Sequence, residues 1–142
     1  MATYQFEYSS VLESEEKMLT DIELILSRHL VTGHLNRAFT LAVSEAFTNA
    51  LTHGNELDPK KTVTLRVTIN KTDLIADIID QGRDALRRIA DRKPAQLLSE
   101  GGRGVDLIRH YANTARFVEV ESGGLLVSIH FSRRDKVAIK TS

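Results

Sequence analysis

Val43-Ser44-Glu45-Ala46-Phe47-Thr48-Asn49-Ala50-Leu51-Thr52-His53-Gly54-Asn55 is the stretch around which the rest of the chain makes sense. With successive residues ~100° apart, Phe39, Ala42, Val43, Ala46, Phe47 and Ala50 share one face, which predicts a helix from about Leu35 to His53. Glu45, Asn49 and His53 follow at i, i+4 and i+8 along one margin of that face, and Gly54 is the expected C-terminal cap. A carboxylate there can take a proton from a hydroxyl. A carboxamide oxygen is a hard donor of the kind Mg²⁺ prefers. Taken alone, the pair also reads as two polar residues bordering a core helix, and His53 as a residue that satisfies carbonyls at the helix end.

Outward from this helix, the chain divides into short elements. Thr3 to Tyr8 alternates, with Tyr4, Phe6 and Tyr8 on one side, and predicts an edge strand able to pair within the domain or with a second subunit. Ser14-Glu15-Glu16-Lys17 resembles a helix start, and Met18, Ile22, Ile25 and Leu26 continue it at helical spacing until Gly33 at the latest. After the turn at Asp58-Pro59, Val63, Leu65, Val67 and Ile69 alternate in one strand. Lys71-Thr72-Asp73 links it to a second strand, Leu74 to Ile79, and so short a link implies an antiparallel pair. Ala85 to Asp91 predicts a short helix, and Pro94 interrupts any longer one. Gly101-Gly102-Arg103-Gly104 opens another helix, and Ala115 to Glu121 with Gly124 to Ser132 predicts a closing hairpin. The expected fold is an α/β (α+β) two-layer sandwich, a mainly antiparallel sheet with helices on one face. All of residues 1–142 are expected in a single domain, with residues 133–142 as a flexible tail.

Composition narrows the classes of function. Lysine plus arginine and aspartate plus glutamate each number 19, so the basic excess of a nucleic-acid binder is missing and no direct nucleic-acid partner is expected. There are no cysteines, which excludes disulfides and thiolate metal sites. No apolar run is long enough to span a bilayer, and residues 1–20 lack a signal-peptide pattern, so no membrane association and a cytoplasmic location are expected. His29, His34, His53, His110 and His130 are scattered without metal-ligand spacing.

Two further segments add chemistry. Asp80-Gln81-Gly82 ends a buried strand, where an aspartate can accept a hydrogen bond from an exocyclic amine and a glycine admits a flat ring close to the backbone. Gly102-Arg103-Gly104 enters a helix, whose N-terminal N–H groups suit phosphate. Each has an ordinary structural explanation by itself. Together with Glu45 and Asn49 they offer a metal ligand, a purine-amine acceptor and a phosphate cradle, the parts of a nucleotide–Mg²⁺ site.

On these residues the chain resembles a known family. Glu45-Ala46-Phe47-Thr48-Asn49-Ala50-Leu51-Thr52-His53-Gly54, then Asp80-Gln81-Gly82, then Gly102-Arg103-Gly104-Val105-Asp106-Leu107-Ile108 are similar to the three ATP-site boxes of the GHKL superfamily. The Glu-Ala-x-x-Asn-Ala-x-x-His-Gly form and the small size most resemble the anti-sigma factor serine/threonine kinases. The resemblance implies a Bergerat-type ATP-binding fold with a mainly antiparallel, mixed sheet, and ATP and Mg²⁺ as cofactors. It gives Asn49 to Mg²⁺, Glu45 to the catalytic base, Asp80 to the adenine amine with Gly82 beside the ring, and Gly102, Arg103 and Gly104 to the phosphates. His53 joins the nucleotide side, and residues 83–101 form a lid. It implies phosphorylation of a STAS-domain anti-sigma factor antagonist in a partner-switching circuit. Many relatives also sequester a sigma factor, and many are homodimers.

Two departures fall at the base end. The family's second box continues Asp-x-Gly-x-Gly, and here Asp84 takes the last place. Many relatives follow the glycine of the last hairpin with threonines that help hold adenine, where this chain has Leu125 and Leu126. The alternative expectation is therefore a non-catalytic or weakly ATP-binding module that sequesters a sigma factor or a STAS-domain partner.

Overall fold

A computed structural model describes residues 1–90 and 101–133. Alternation of apolar and polar residues builds β1 (Ala2–Ser9), β2 (Thr62–Ile69), β3 (Asp73–Ile79), β4 (Thr114–Glu119) and β5 (Leu125–Ser132). They form one sheet in the order β1-β2-β3-β5-β4. Every neighbouring pair is antiparallel, so the expected mixed sheet is corrected to a fully antiparallel one among the described strands. The pairing explains the period-two pattern: Phe6, Leu65, Ile78, Val127 and Phe117 stand side by side across all five strands. Because side chains alternate between faces, the same register buries Val63, Val67, Leu74, Ala76 and Ile129 beneath the helices. β1 pairs with β2 along its whole length, from Ala2 opposite Ile69 to Ser9 opposite Thr62.

The helical layer is α1 (Glu13–Arg28), α2 (Gly33–Asn49), α3 (Ala85–Ala90) and α4 (Gly101–Tyr111). α1 buries Met18, Ile22, Ile25 and Leu26, as its spacing predicts. Its start differs from expectation. The helix begins at Glu13, and the Ser14 hydroxyl donates to the Ser9 carbonyl at 2.7 Å, tying the helix to the end of β1. α1 stops where Leu30 turns left-handed (φ 57°). α2 buries Ala38, Phe39, Ala42, Val43, Ala46 and Phe47. Two of these are fully buried phenylalanines, each of a kind whose truncation to alanine typically costs about 3–5 kcal/mol.

At the corner farthest from Asp80 along β3, Arg133 donates from Nη1 to the Asn70 carbonyl at 2.6 Å and from Nη2 to the His29 carbonyl at 3.2 Å. A cation at the end of α1 also suits the negative pole of the helix. The rest of the expected tail, residues 134–142, lies outside the described residues, as does Pro94. Among the described residues no helix is long and apolar enough to cross a membrane.

Tyr8 joins β1 to the helices. Its ring meets Phe47 edge-on at 5.2 Å, and its hydroxyl donates to Asp21 Oδ2 at 2.7 Å. Burial first, then the hydrogen bond and the charge of Asp21, push the phenol far above its ordinary value. Above about pH 10 the unfolded chain gives up this proton while the folded chain keeps it, so the Tyr8 contribution to stability declines as pH rises through that window. In urea unfolding, Tyr8→Phe is expected to cost about 2 kcal/mol at pH 8. The gap from wild type should narrow at pH 10.5 and above. Parallel pH profiles for the two proteins would contradict this account.

Candidate nucleotide site

The α2 helix carries Glu45 and Asn49, both half-buried at the margin of its core face. It does not end as a plain α-helix. Ala50–Gly54 forms a π-helical turn, with the Asn55 N–H donating five residues back to the Ala50 carbonyl at 2.9 Å. Such turns are rare and recur at functional sites. An α-helix would step His53 ~40° beyond Asn49 on the wheel. A π turn rotates less per residue, so half-buried His53 stays closer to the line of Glu45 and Asn49.

The chain reversal also differs from expectation. Gly54 is not the left-handed cap. That conformation falls to Glu56 (φ 51°) and Leu57 (φ 54°), and the Leu57 N–H closes the end on the Leu51 carbonyl at 2.8 Å. Gly54 is a glycine for reasons of space. A Cβ there would collide with the Asp80 carboxylate and would lie 2.9 Å from Asp80 Cβ.

Asp80 follows β3, and continuing the alternation of Leu74, Ala76 and Ile78 turns its side chain toward the helices. It is 3% exposed. Oδ1 accepts from the Gly82 N–H at 2.9 Å and from the Leu125 N–H at 3.0 Å, while the Asp80 N–H donates to the Leu125 carbonyl at 3.0 Å. Gly124 closes the other side, where a Cβ would strike the Asp80 carbonyl. A buried carboxylate is thus gripped by backbone and flanked by two glycines, Gly54 and Gly124.

The departures at the base end acquire physical explanations. Asp84 is left-handed (φ 49°) and exposed. The position demands a conformation that glycine supplies and that aspartate tolerates better than most residues. Leu126 lies opposite Ile79 and Val118, on the sheet face away from the helices. It is Leu125, partly buried against the core, that shares the side of Asp80. The expectation that Leu126 bears on the base end is corrected accordingly. The loop after β3 is docked on the β4–β5 turn: the Ala85 N–H donates to the Gly123 carbonyl at 3.1 Å, and the Leu86 N–H to Glu119 Oε1 at 3.2 Å.

Gly101–Gly104 form the first turn of α4 itself; they do not precede it. Gly102 and Arg103 therefore contribute N-terminal helix N–H groups that lack intrahelical partners, and Gly104 belongs to the same turn. α4 packs against α2, with Ile108 buried. The Arg103 side chain lies outside the described residues. Arg109 and His110 are exposed, with the Arg109 guanidinium 5.1 Å above the Phe117 ring. Asp80, Gly82 and Gly54 thus come together, and α2 presents Glu45, Asn49 and His53 on the same helix and π turn that deliver Gly54. Among the described residues no group of three or more His, Cys, Asp or Glu could hold a metal by itself.

One residue of this region was not marked by sequence patterning. Asn55 has no exposed surface. Nδ2 donates to Ser10 Oγ at 2.8 Å and to the Thr62 carbonyl at 3.0 Å, and Oδ1 accepts from the Gln81 N–H at 2.7 Å. Its only signal in the sequence is its place next to Gly54.

Residues 8–131 match the family model of the histidine kinase-like ATPase domain. Among solved structures the chain is similar to the crystal structure of the RsbU and RsbW domains of Rv1364c from Mycobacterium tuberculosis, at 15% identity with a TM-score of 0.66. That match covers 94% of this chain and 33% of the other, so the chain spans about a third of that protein's length, and the likeness is one of fold. Comparison with curated proteins gives no match.

Because the space around Asp80 is filled, Gly54→Ala is expected to destabilise the fold by about 2 kcal/mol through overpacking. Urea unfolding measures it, and a variant as stable as wild type would show that the two elements are not in the contact described.

Proposed function

We propose, since the chain belongs to the histidine kinase-like ATPase domain family, that it is an ATP-dependent protein serine/threonine kinase of the anti-sigma factor type. Its substrate is a STAS-domain anti-sigma factor antagonist in a cytoplasmic partner-switching circuit, and a sigma factor is a further partner. The single observation that carries this proposal is the buried Asp80 carboxylate, held by the Gly82 and Leu125 N–H groups between two glycines. A carboxylate held in a fixed orientation by two backbone N–H groups keeps acceptor capacity for an exocyclic amine. Bound ATP with Mg²⁺ would supply the phosphoryl group and neutralise its charge. Asp80 would accept from the adenine amine beside Gly82. Asn49 would give its carboxamide oxygen to Mg²⁺, with His53 on the same side. Gly102 and Arg103, with Gly104 in the same turn, would offer helix N–H groups to phosphate. Glu45, one turn before Asn49, would accept the proton of the serine or threonine hydroxyl.

A second proposal is a partner-sequestering module with weak nucleotide binding. Leu125 favours it, because it puts an apolar side chain and no hydroxyl on the base side of the site.

Thermal or urea unfolding with and without Mg²⁺–ATP tests both. At 100-fold saturation a ligand of the folded state adds about 2.7 kcal/mol. That gain is expected in wild type; it should largely disappear in Asp80→Asn and fall to about 1.4 kcal/mol in Asn49→Ala at the same ATP concentration. Glu45→Ala is expected to keep it while phosphotransfer to a STAS-domain protein falls by about 100-fold or more. No stabilisation at millimolar ATP would overturn the kinase proposal. Stabilisation without transfer from wild type would favour the sequestering module.

A further inference from the structure

Gly54 and Asn55 are consecutive, and so are Asp80 and Gln81. The two pairs meet one to one: Gly54 lies against the Asp80 carboxylate, and Asn55 Oδ1 accepts from the Gln81 N–H at 2.7 Å. The first contact is van der Waals packing and fixes only closeness. The second is a directional hydrogen bond in a fully buried place, and it fixes orientation as well. On its other side the same amide holds Ser10 Oγ, just past β1, and the Thr62 carbonyl at the start of β2. Ser10 is itself fully buried, and its hydroxyl donates onward to the Lys61 carbonyl at 2.8 Å. Three of the four hydrogen-bonding positions of the carboxamide are thereby used.

We infer that Asn55 is a positioning residue for nucleotide binding, locking the helix that carries Glu45 and Asn49 to the strand end that carries Asp80. This rests on the proposed ATP site and adds a residue and a mechanism to it. The metal-binding carboxamide and the base-reading carboxylate sit on different elements, α2 and the end of β3. A ligand that touches both gains more when their separation is fixed beforehand, because less ordering is left to be done on binding. The π turn brings Gly54 and Asn55 to β3, and the Gln81 bond holds them there.

A merely structural Asn55 and a positioning Asn55 differ in coupling. Independent groups contribute additively to binding, whereas groups held in place by a third lose their contribution when it is removed. Mg²⁺–ATP affinity is measured by calorimetry in wild type, Asn49→Ala, Asn55→Ala and the double variant. In wild type, Asn49→Ala is expected to weaken binding about ten-fold; in the Asn55→Ala background the further loss should shrink to about two-fold. Ser10→Ala serves as the control from the same network. It removes an acceptor of Asn55 without touching Gln81, so it is expected to lower stability and leave the full Asn49 factor in place. Asn55→Asp keeps an oxygen for the Gln81 N–H, loses both donors, and should also retain the factor. Where Asn55→Ala does not fold, Asn55→Ser, whose shorter side chain leaves the Gln81 N–H without its acceptor, takes its place and should shrink the Asn49 factor in the same way. An undiminished Asn49 factor in Asn55→Ala, or its loss in Asn55→Asp, would overturn the positioning role while the ATP site stands. Absence of ATP binding by wild type would instead remove the ATP site, and the inference with it.

Discussion

A carboxamide with no exposed surface must find its hydrogen bonds inside the protein, because leaving them unmade costs more than the bonds themselves contribute. Asn55 meets this constraint by joining places far apart in the chain: Ser10 after β1, Thr62 at the start of β2, and Gln81 after β3. The end of α2 is therefore bound to three strands at the point where the candidate site lies. The layers of this fold adhere through apolar packing, which is strong but non-directional. The amide supplies the direction.

Glycine serves two different ends in the same few ångströms. At Gly54 and Gly124 it makes room, and the Asp80 carboxylate and carbonyl occupy the space where a Cβ would be. At Gly123 it supplies a left-handed backbone (φ 99°) for the β4–β5 turn. Where a left-handed residue is needed with no such crowding, the chain uses Glu56, Leu57 and Asp84. That division accounts for an exposed, left-handed Asp84 and for why a larger residue at Gly54 is not expected to be neutral. A dense site is built here from backbone and small residues, with one carboxylate at its centre.

Much of this was legible in the sequence because it depends on periodicity. Val63, Leu65, Val67 and Ile69 alternate, Met18, Ile22, Ile25 and Leu26 recur at helical spacing, and the three-residue link after Asn70 dictates an antiparallel pair. Asp80 could be placed because it continues a strand whose register is already set. Other features leave little trace in residue order. The π turn adds a residue to the hydrogen-bond ladder without altering the run of side-chain types. Asn55 has the composition of a loop residue, and only its surroundings make it a core residue. Leu125 and Leu126 are chemically identical, and strand register alone decides which of them shares the side of Asp80. Ser14 looked like a helix start, yet its hydroxyl is engaged by the Ser9 carbonyl behind it.

The Arg133 contacts have a mechanical consequence. The guanidinium grips the Asn70 carbonyl beside the β2–β3 hairpin and the His29 carbonyl at the end of α1. Asn55 grips the opposite end of β3 through Gln81. The strand is thus pinned to the helical layer near both of its ends, like a beam clamped at two supports. A slip of one residue would turn every side chain of β3 to the wrong face, and it would have to release both clamps together. Alignment between the sheet and the helical layer is consequently fixed at both ends of β3, to the end of α1 at one and to the end of α2 at the other.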